Sequence, residues 1–307
     1  METPKKREEE LQSFCKILNE QVSSLQTIAS SHIIDIKSQY LSIFSLPYRR
    51  NPSFTTREGI LETIHKTLVL NAAPGLTSSF VIYGLGGVGK TQIAMEYCYQ
   101  HRHEFDLVLW LQANDYETLS TSYVQLYQNE AFRTFTKVKV SDDTNFELVL
   151  KQVQGWFETC QDVKWLLVLD NADELETDED KPTLGKIIPR GSIGYVLVTS
   201  RNRAAVGQLA QGGMELSAMT QSEATAFLQT CCKRSEVAEM AELLADLGHL
   251  PLAIEQAGGF IRTHSTSIPE YRKLYKYIQN VSTKFAELEI RLNTKVEGSD
   301  DWNVRVN

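Results

Sequence analysis

The string GLGGVGKT at positions 84–91 has the residue types and spacing needed to hold the phosphate tail of a nucleotide. It fits GxxxxGK[ST], in which a glycine-rich turn wraps backbone N–H groups around phosphates and feeds a helix whose positive N-terminal end faces the same anion. Gly84, Gly86, Gly87 and Gly89 permit positive φ and a close approach that a Cβ would block. Lys90 is placed to neutralise the β and γ phosphates and the Thr91 hydroxyl to ligate Mg²⁺. The binding set read from this stretch is Gly84, Gly86, Gly87, Val88, Gly89, Lys90, Thr91 and Gln92. A second chemical signal is WLLVLD at 165–170, an apolar strand ending in an acid. Such a strand presents its carboxylate at the C-terminal edge of a parallel sheet, where open α/β folds bind ligands. Asp170 is therefore the candidate that holds Mg²⁺ through its hydration shell. Asp173 is a candidate for orienting or deprotonating the attacking water, or else a helix cap. The third signal is GYVLVTSR at 194–201, which puts polar Thr199 and Ser200 and cationic Arg201 at the same kind of edge. Arg201 is a candidate for sensing or stabilising a γ-phosphate. His101 and His103 suggest a two-histidine metal site, against the simpler reading of histidines favoured by a helix C-terminus.

These residues need elements to position them. FVIY at 80–83 reads as a buried strand before the glycine turn, and residues 91–100 as the helix after it. FDLVLWLQ at 105–112 is another buried strand, followed by helices at 117–133 and 146–160 with an irregular loop at 134–144. Residues 214–217 give a short fifth strand, and from there the pattern is helical: 221–233, 236–247, 251–263 and 269–292. Strands alternating with helices, then helices only, predict an α/β fold: a parallel sheet flanked by helices, with a small helical subdomain attached. Apolar spacing over 7–44 predicts an amphipathic helix or helical hairpin, and the Pro47 to Pro52 stretch a connector. The expected domains are an N-terminal helical segment (1–46), a nucleotide-binding domain (47–217), a helical subdomain (218–292) and a disordered tail (293–307).

Composition narrows the class. Of 307 residues, 42% are hydrophobic and 23% charged, which suits a soluble protein with a real core. A net charge of −8 offers no electrostatic footprint for nucleic acid. No apolar run is long enough for a membrane span or signal peptide, and five scattered cysteines without ligand spacing suit reduced thiols, so a cytoplasmic location is expected.

Taken together, the motifs resemble the NB-ARC class of STAND ATPases, the nucleotide switch of NOD-like receptors, closest to the fungal members and over roughly residues 47–280. Residues 84–91 resemble its Walker A motif, 166–173 its Walker B, and Val198 to Arg201 its sensor strand. The stretch RNPSFTTRE at 50–58 resembles the family's F-x-G-R-E segment near adenine and ribose, with Arg57 in the motif and Thr56 in place of glycine. LGHLPLA at 247–253 resembles GLPLA, whose proline packs on adenine and corresponds to Pro251. The resemblance implies an ADP/ATP-binding switch with Mg²⁺ and slow hydrolysis at best, in signal transduction and innate immunity, forming homo- or hetero-oligomers with related receptors. Asn171 stands where the plant pattern has a second acid, so a general-base role shifts to Asp173 or is lost. The family's winged-helix and repeat domains are not expected within these 307 residues, as in a shortened receptor or truncated gene product. The alternative expectation is a non-catalytic protein that pairs with full-length receptors. A small-molecule kinase is a third reading, for which no second-substrate site is visible.

Overall fold

The computed structural model describes residues 43–55, 57, 59–141, 145–175, 183–190, 193–234 and 239–297, with side chains described through residue 282 and at 284. The expected N-terminal helix lies outside the described residues as far as 42. Its last part is corrected: Ile43–Ser45 is a strand, β1, paired in parallel with residues 107–109. Pro47 soon after blocks a helical continuation, and Phe44 instead packs edge-on against Tyr99, with ring centroids 5.2 Å apart.

Five longer strands follow: β2 (Ser78–Tyr83), β3 (Leu107–Gln112), β4 (Trp165–Asp170), β5 (Gly194–Ser200) and β6 (Gly212–Glu215). They form one sheet with β1 in the order β1-β3-β4-β5-β2-β6. The pairings β1 with β3, β3 with β4, β4 with β5 and β5 with β2 are all parallel. Every residue of β4 and β5 is buried, as expected where helices cover both faces of a parallel sheet. The predicted α/β architecture is thus present. The last strand begins two residues earlier than expected because Gly212 and Gly213 join it. A Cβ on Gly213 would come within 2.6 Å of Val206 and 2.8 Å of the Val81 carbonyl, so only glycine lets the strand in this close.

By contact the chain divides into two compact units. One comprises residues up to Arg50, Leu61–Tyr83 and Ile93–Met214; the other comprises Asn51–Ile60, Gly84–Gln92 and everything from Glu215 onward. The first unit's core joins sheet aliphatics such as Leu109, Leu167 and Val196 to an aromatic group built from Tyr123, Phe132, Trp156, Phe157 and Trp165. The helix expected at 117–133 is two helices, Tyr116–Gln128 and Glu130–Thr136. Asn129 breaks it, because its side-chain oxygen accepts the Phe132 N–H and caps the second helix. In the connector, the Arg50 guanidinium grips both oxygens of Glu96, which is almost fully buried. Burial opposes the Glu96 charge, yet hydrogen bonds from Arg50 and Gln100 outweigh it and hold its pKa below the ordinary value.

The second unit's core is helical. Phe227 and Leu228 of Gln221–Cys232, Leu243 and Leu244 of Met240–Asp246, and Ile254 and Ile261 of Pro251–His264 meet in it. Thr220 and Glu223 cap the first of these helices reciprocally, and Pro251 opens the last at a position where its missing N–H costs nothing. The final helix, Ile268–Glu297, continues through residues 293–297, where the tail was expected to start. After Pro269 in the first turn no glycine or proline occurs until Gly298, so nothing local stops the helix at Leu292. Among the described residues no helix is long and apolar enough to cross a membrane. Cys98, Cys231 and Cys232 are buried free thiols, and burial raises the pKa of Cys98 and of Cys231, the latter to about 11, so neither is a ready nucleophile.

Candidate functional site

In the second unit, the glycine turn has the positive-φ geometry its sequence predicts at Gly84, Gly87 and Gly89. Their φ angles are 147°, 77° and 99° in that order. At Gly84 the requirement is double, since a Cβ there would also sit 2.5 Å from the Leu216 carbonyl oxygen. At Gly87 a Cβ would press on the Leu252 side chain at 3.2 Å. Lys90 is only 8% exposed, and its ammonium donates to the carbonyls of Gly84 (2.8 Å) and Leu85 (3.0 Å). The lysine therefore lies back along its own loop, with its charge inside the curve of the turn. Val88 is buried and anchors the turn, Thr91 is partly exposed, and Gln92 accepts from the Asn51 amide at 3.3 Å.

Two further predicted residues stand against this loop or its neighbour. Pro251 lies 3.9 Å from the point a Cβ on Gly89 would take, and the next residue, Leu252, donates its N–H to the Gly87 carbonyl at 3.2 Å. Leu252 is half exposed all the same, so a large apolar side chain is presented at the loop. Arg57 is buried, and its guanidinium donates to the carbonyls of Ser217 (2.9 Å) and Ala218 (3.1 Å), with Glu223 at 3.7 Å. It ties the 51–60 segment to the stretch that also meets Gly84.

In the first unit, β2, β4 and β5 run parallel and end together, at Tyr83, Asp170 and Ser200, with Tyr83 in register with Ser200. Here the structure groups the other predicted residues. Asp170 is nearly buried and accepts a 2.6 Å hydrogen bond from the Thr199 hydroxyl, which itself is fully buried and also accepts the Asn171 N–H at 3.0 Å. The chain then turns sharply: Asn171 takes φ of 60°, a conformation asparagine tolerates better than most residues, and Ala172 donates to the Thr199 carbonyl. That turn swings Asp173 onto Arg201. One Asp173 oxygen accepts the Arg201 backbone N–H at 2.6 Å and the Ser200 hydroxyl at 3.4 Å, and the other accepts Arg201 Nε at 2.6 Å. Arg201 remains two-thirds exposed beyond this contact. Asp173 thus serves as the residue that holds Arg201 in place.

Sequence reasoning named Thr199 and Ser200 as edge residues but gave them no task. Two hydroxyls closing an otherwise aliphatic strand were the available signal, because buried hydroxyls need partners. Leu252 and its N–H were missed as well, hidden beside the more conspicuous Pro251.

Comparison with known proteins follows the same lines. The NB-ARC domain family matches residues 57–238, well over half of the chain. A nucleotide-binding leucine-rich repeat (NLR)-like protein of Hyaloscypha variabilis is 28% identical over 258 residues, covering 78% of this chain and 25% of that protein. The chain thus spans about a quarter of that relative's length. Among solved structures, a STAND protein with a tetratricopeptide repeat sensor from Pyrococcus horikoshii aligns at 17% identity and a TM-score of 0.42, over 67% of this chain and 30% of that one. The Aeropyrum pernix ORC2 protein, solved as ADPNP–ADP complexes, aligns at 16% identity and a TM-score of 0.49, over 74% of this chain and 69% of that one.

Proposed function

The chain belongs to the NB-ARC family, and on that premise we propose that it is the switch module of a NOD-like receptor type protein, holding ADP or ATP with Mg²⁺ and hydrolysing ATP slowly if at all. That it is a nucleotide-binding module of NB-ARC type follows from the family itself. The finer reading rests on one observation above the others: the 84–92 loop is built so that only glycines fit at Gly84 and Gly87, with a lysine charge drawn inside its curve. A turn so shaped suits a polyanion and has little use as a plain hairpin.

The residues present fit the ligand and its metal. The Thr91 hydroxyl and the Asp170 carboxylate are hard oxygen donors of the kind Mg²⁺ prefers. When bound, Mg²⁺ supplies charge neutralisation at the β and γ phosphates. In the proposal Lys90 would bind those phosphates, Thr199 would fix the Asp170 carboxylate through its hydroxyl so that Asp170 could hold the metal through its hydration shell, and Arg201 would read the γ-phosphate. Pro251 and Leu252 offer an apolar surface for the base, and Arg57 keeps the segment behind it in place. Asp173 is occupied in holding Arg201, which supports slow turnover: both of its oxygens are engaged by Ser200 and Arg201 and are not directed at an attacking water. The nucleotide state would then set association with copies of itself or with related receptor chains in the cytoplasm, in signalling of the innate-immune kind.

Replacing Asp170 tests the metal assignment. With Asp170→Ala, Mg²⁺-dependent ATP binding should weaken by about tenfold, roughly 1.4 kcal/mol, while ADP binding changes little. Affinities for both nucleotides, measured by calorimetry with Mg²⁺ and with chelator, would read this directly. Equal losses for the two would remove Asp170 from the metal site.

A further inference from the structure

His65, His101 and Glu104 come from three different elements and converge in the first unit. His65 lies where the helix Ile60–His65 runs on into the π-helical stretch Lys66–Leu70, His101 follows the helix Lys90–Gln100, and Glu104 closes the single turn Arg102–Glu104. A coordinating atom of each lies within 4.8 Å of the others. All three side chains are partly buried, so the group is neither a loose surface cluster nor sealed from solvent. The Tyr97 hydroxyl sits 3.3 Å from His65 Nδ1, which leaves Nε2 toward Glu104, 3.7 Å from Oε2. His101 Nδ1 contacts the other Glu104 oxygen at 2.5 Å.

From this geometry we propose a transition-metal site of the zinc class, with His65 Nε2, His101 Nδ1 and a Glu104 oxygen as ligands and water in the fourth position. Two imidazoles and one carboxylate form a donor set that favours Zn²⁺, Co²⁺ or Ni²⁺ over Mg²⁺. The Tyr97 contact is the outer partner that an imidazole ligand needs to fix its ring. The two rings now stack, with centroids 4.1 Å apart and planes 9° from parallel. Coordination requires both to turn about Cβ–Cγ toward a common point, and the 2.5 Å contact between His101 and Glu104 to open until each atom stands about 2.1 Å from the metal. Lys164, 3.9 Å from Glu104, opposes a second cation nearby and keeps the affinity below that of a closed structural site.

This place is not the Mg²⁺ site proposed at Asp170. Lys164 immediately precedes β4 and Asp170 ends it, so the six-residue strand separates them by about 20 Å. A metal here would clip the far end of the helix that starts at Lys90 to the middle of the helical run Ile60–Leu70 that precedes β2. His103, the partner that spacing alone suggested for His101, is exposed and outside the group.

The experiment uses the full chain without an affinity tag, stripped of metal by chelation. Co²⁺ titration should produce the visible absorption of a tetrahedral site at about one equivalent, resist excess Mg²⁺, and be displaced by Zn²⁺. Zn²⁺ should raise the melting temperature. His65→Ala and His101→Ala should each weaken binding at least 100-fold, whereas His103→Ala should bind as the native chain does. Absence of a one-equivalent Co²⁺ spectrum in the unaltered protein overturns the proposal, whatever the variants do. So does an unchanged spectrum in a folded His65→Ala/His101→Ala chain.

Discussion

Lys90→Ala should leave a folded protein that no longer retains ADP or ATP. The side chain is nearly buried and its ammonium rests on the Gly84 and Leu85 carbonyls, so the charge is held in the turn before any phosphate arrives. Alanine removes the charge without disturbing the glycine backbone. A charge-assisted contact at a partly desolvated position is worth about 3 kcal/mol, which corresponds to a loss of affinity on the order of 100-fold. The fold should survive because the first unit's core and the helical core of the second do not include Lys90. Equilibrium dialysis with labelled ADP, alongside circular dichroism, measures both halves. Unchanged affinity in a folded variant would mean that the 84–92 loop does not carry binding.

Gly194→Ala is expected to have the largest effect on stability. A Cβ at this first residue of β5 would lie 2.0 Å from Trp165 Cζ2 and 2.1 Å from Cε2. That indole is fully buried and packed edge-on against Phe157, with centroids 5.1 Å apart, so it has nowhere to move. Overpacking of this kind costs about 3 kcal/mol, and for a unit of this size that lowers the melting temperature by about 10 °C. Gly194→Ala should cost less in a Trp165→Leu background than in the native chain, because the nearest atoms to the added Cβ all belong to the indole ring. A single variant melting within about 1 °C of the native chain would contradict this packing.

What could be read from the sequence had a local physical signature. The four long strands were apolar runs of strand length, and the glycine turn was legible from spacing. Two kinds of feature were not. β1 is three residues long, too short for a period of two to show, and Phe44 fell into step with a helical series that ended at Pro47. Its strand conformation comes from pairing with β3, more than sixty residues away in the chain. The order of strands was equally invisible, although it is what places β5 between β4 and β2 and brings Thr199 to Asp170. The same is true of the Asp173 and Arg201 pair. Each residue was noticed separately, but that they meet depends on the left-handed turn at Asn171. Asn171 therefore contributes a turn at the position expected, by resemblance to the plant pattern, to carry a second acid. His65 is the clearest case: within a helical run it gave no signal, and only the packing of that run against the end of the helix Lys90–Gln100 sets it beside His101 and Glu104.

The most direct test of the central claim is to identify what the purified protein carries. Native chain, denatured after extensive washing, should release about one equivalent of adenine nucleotide, chiefly ADP, as a slowly hydrolysing switch retains its product. Chromatography of the released fraction, calibrated with both nucleotides, reads identity and stoichiometry together. Release of no adenine nucleotide, with none taken up on incubation with ADP and Mg²⁺, would contradict the account.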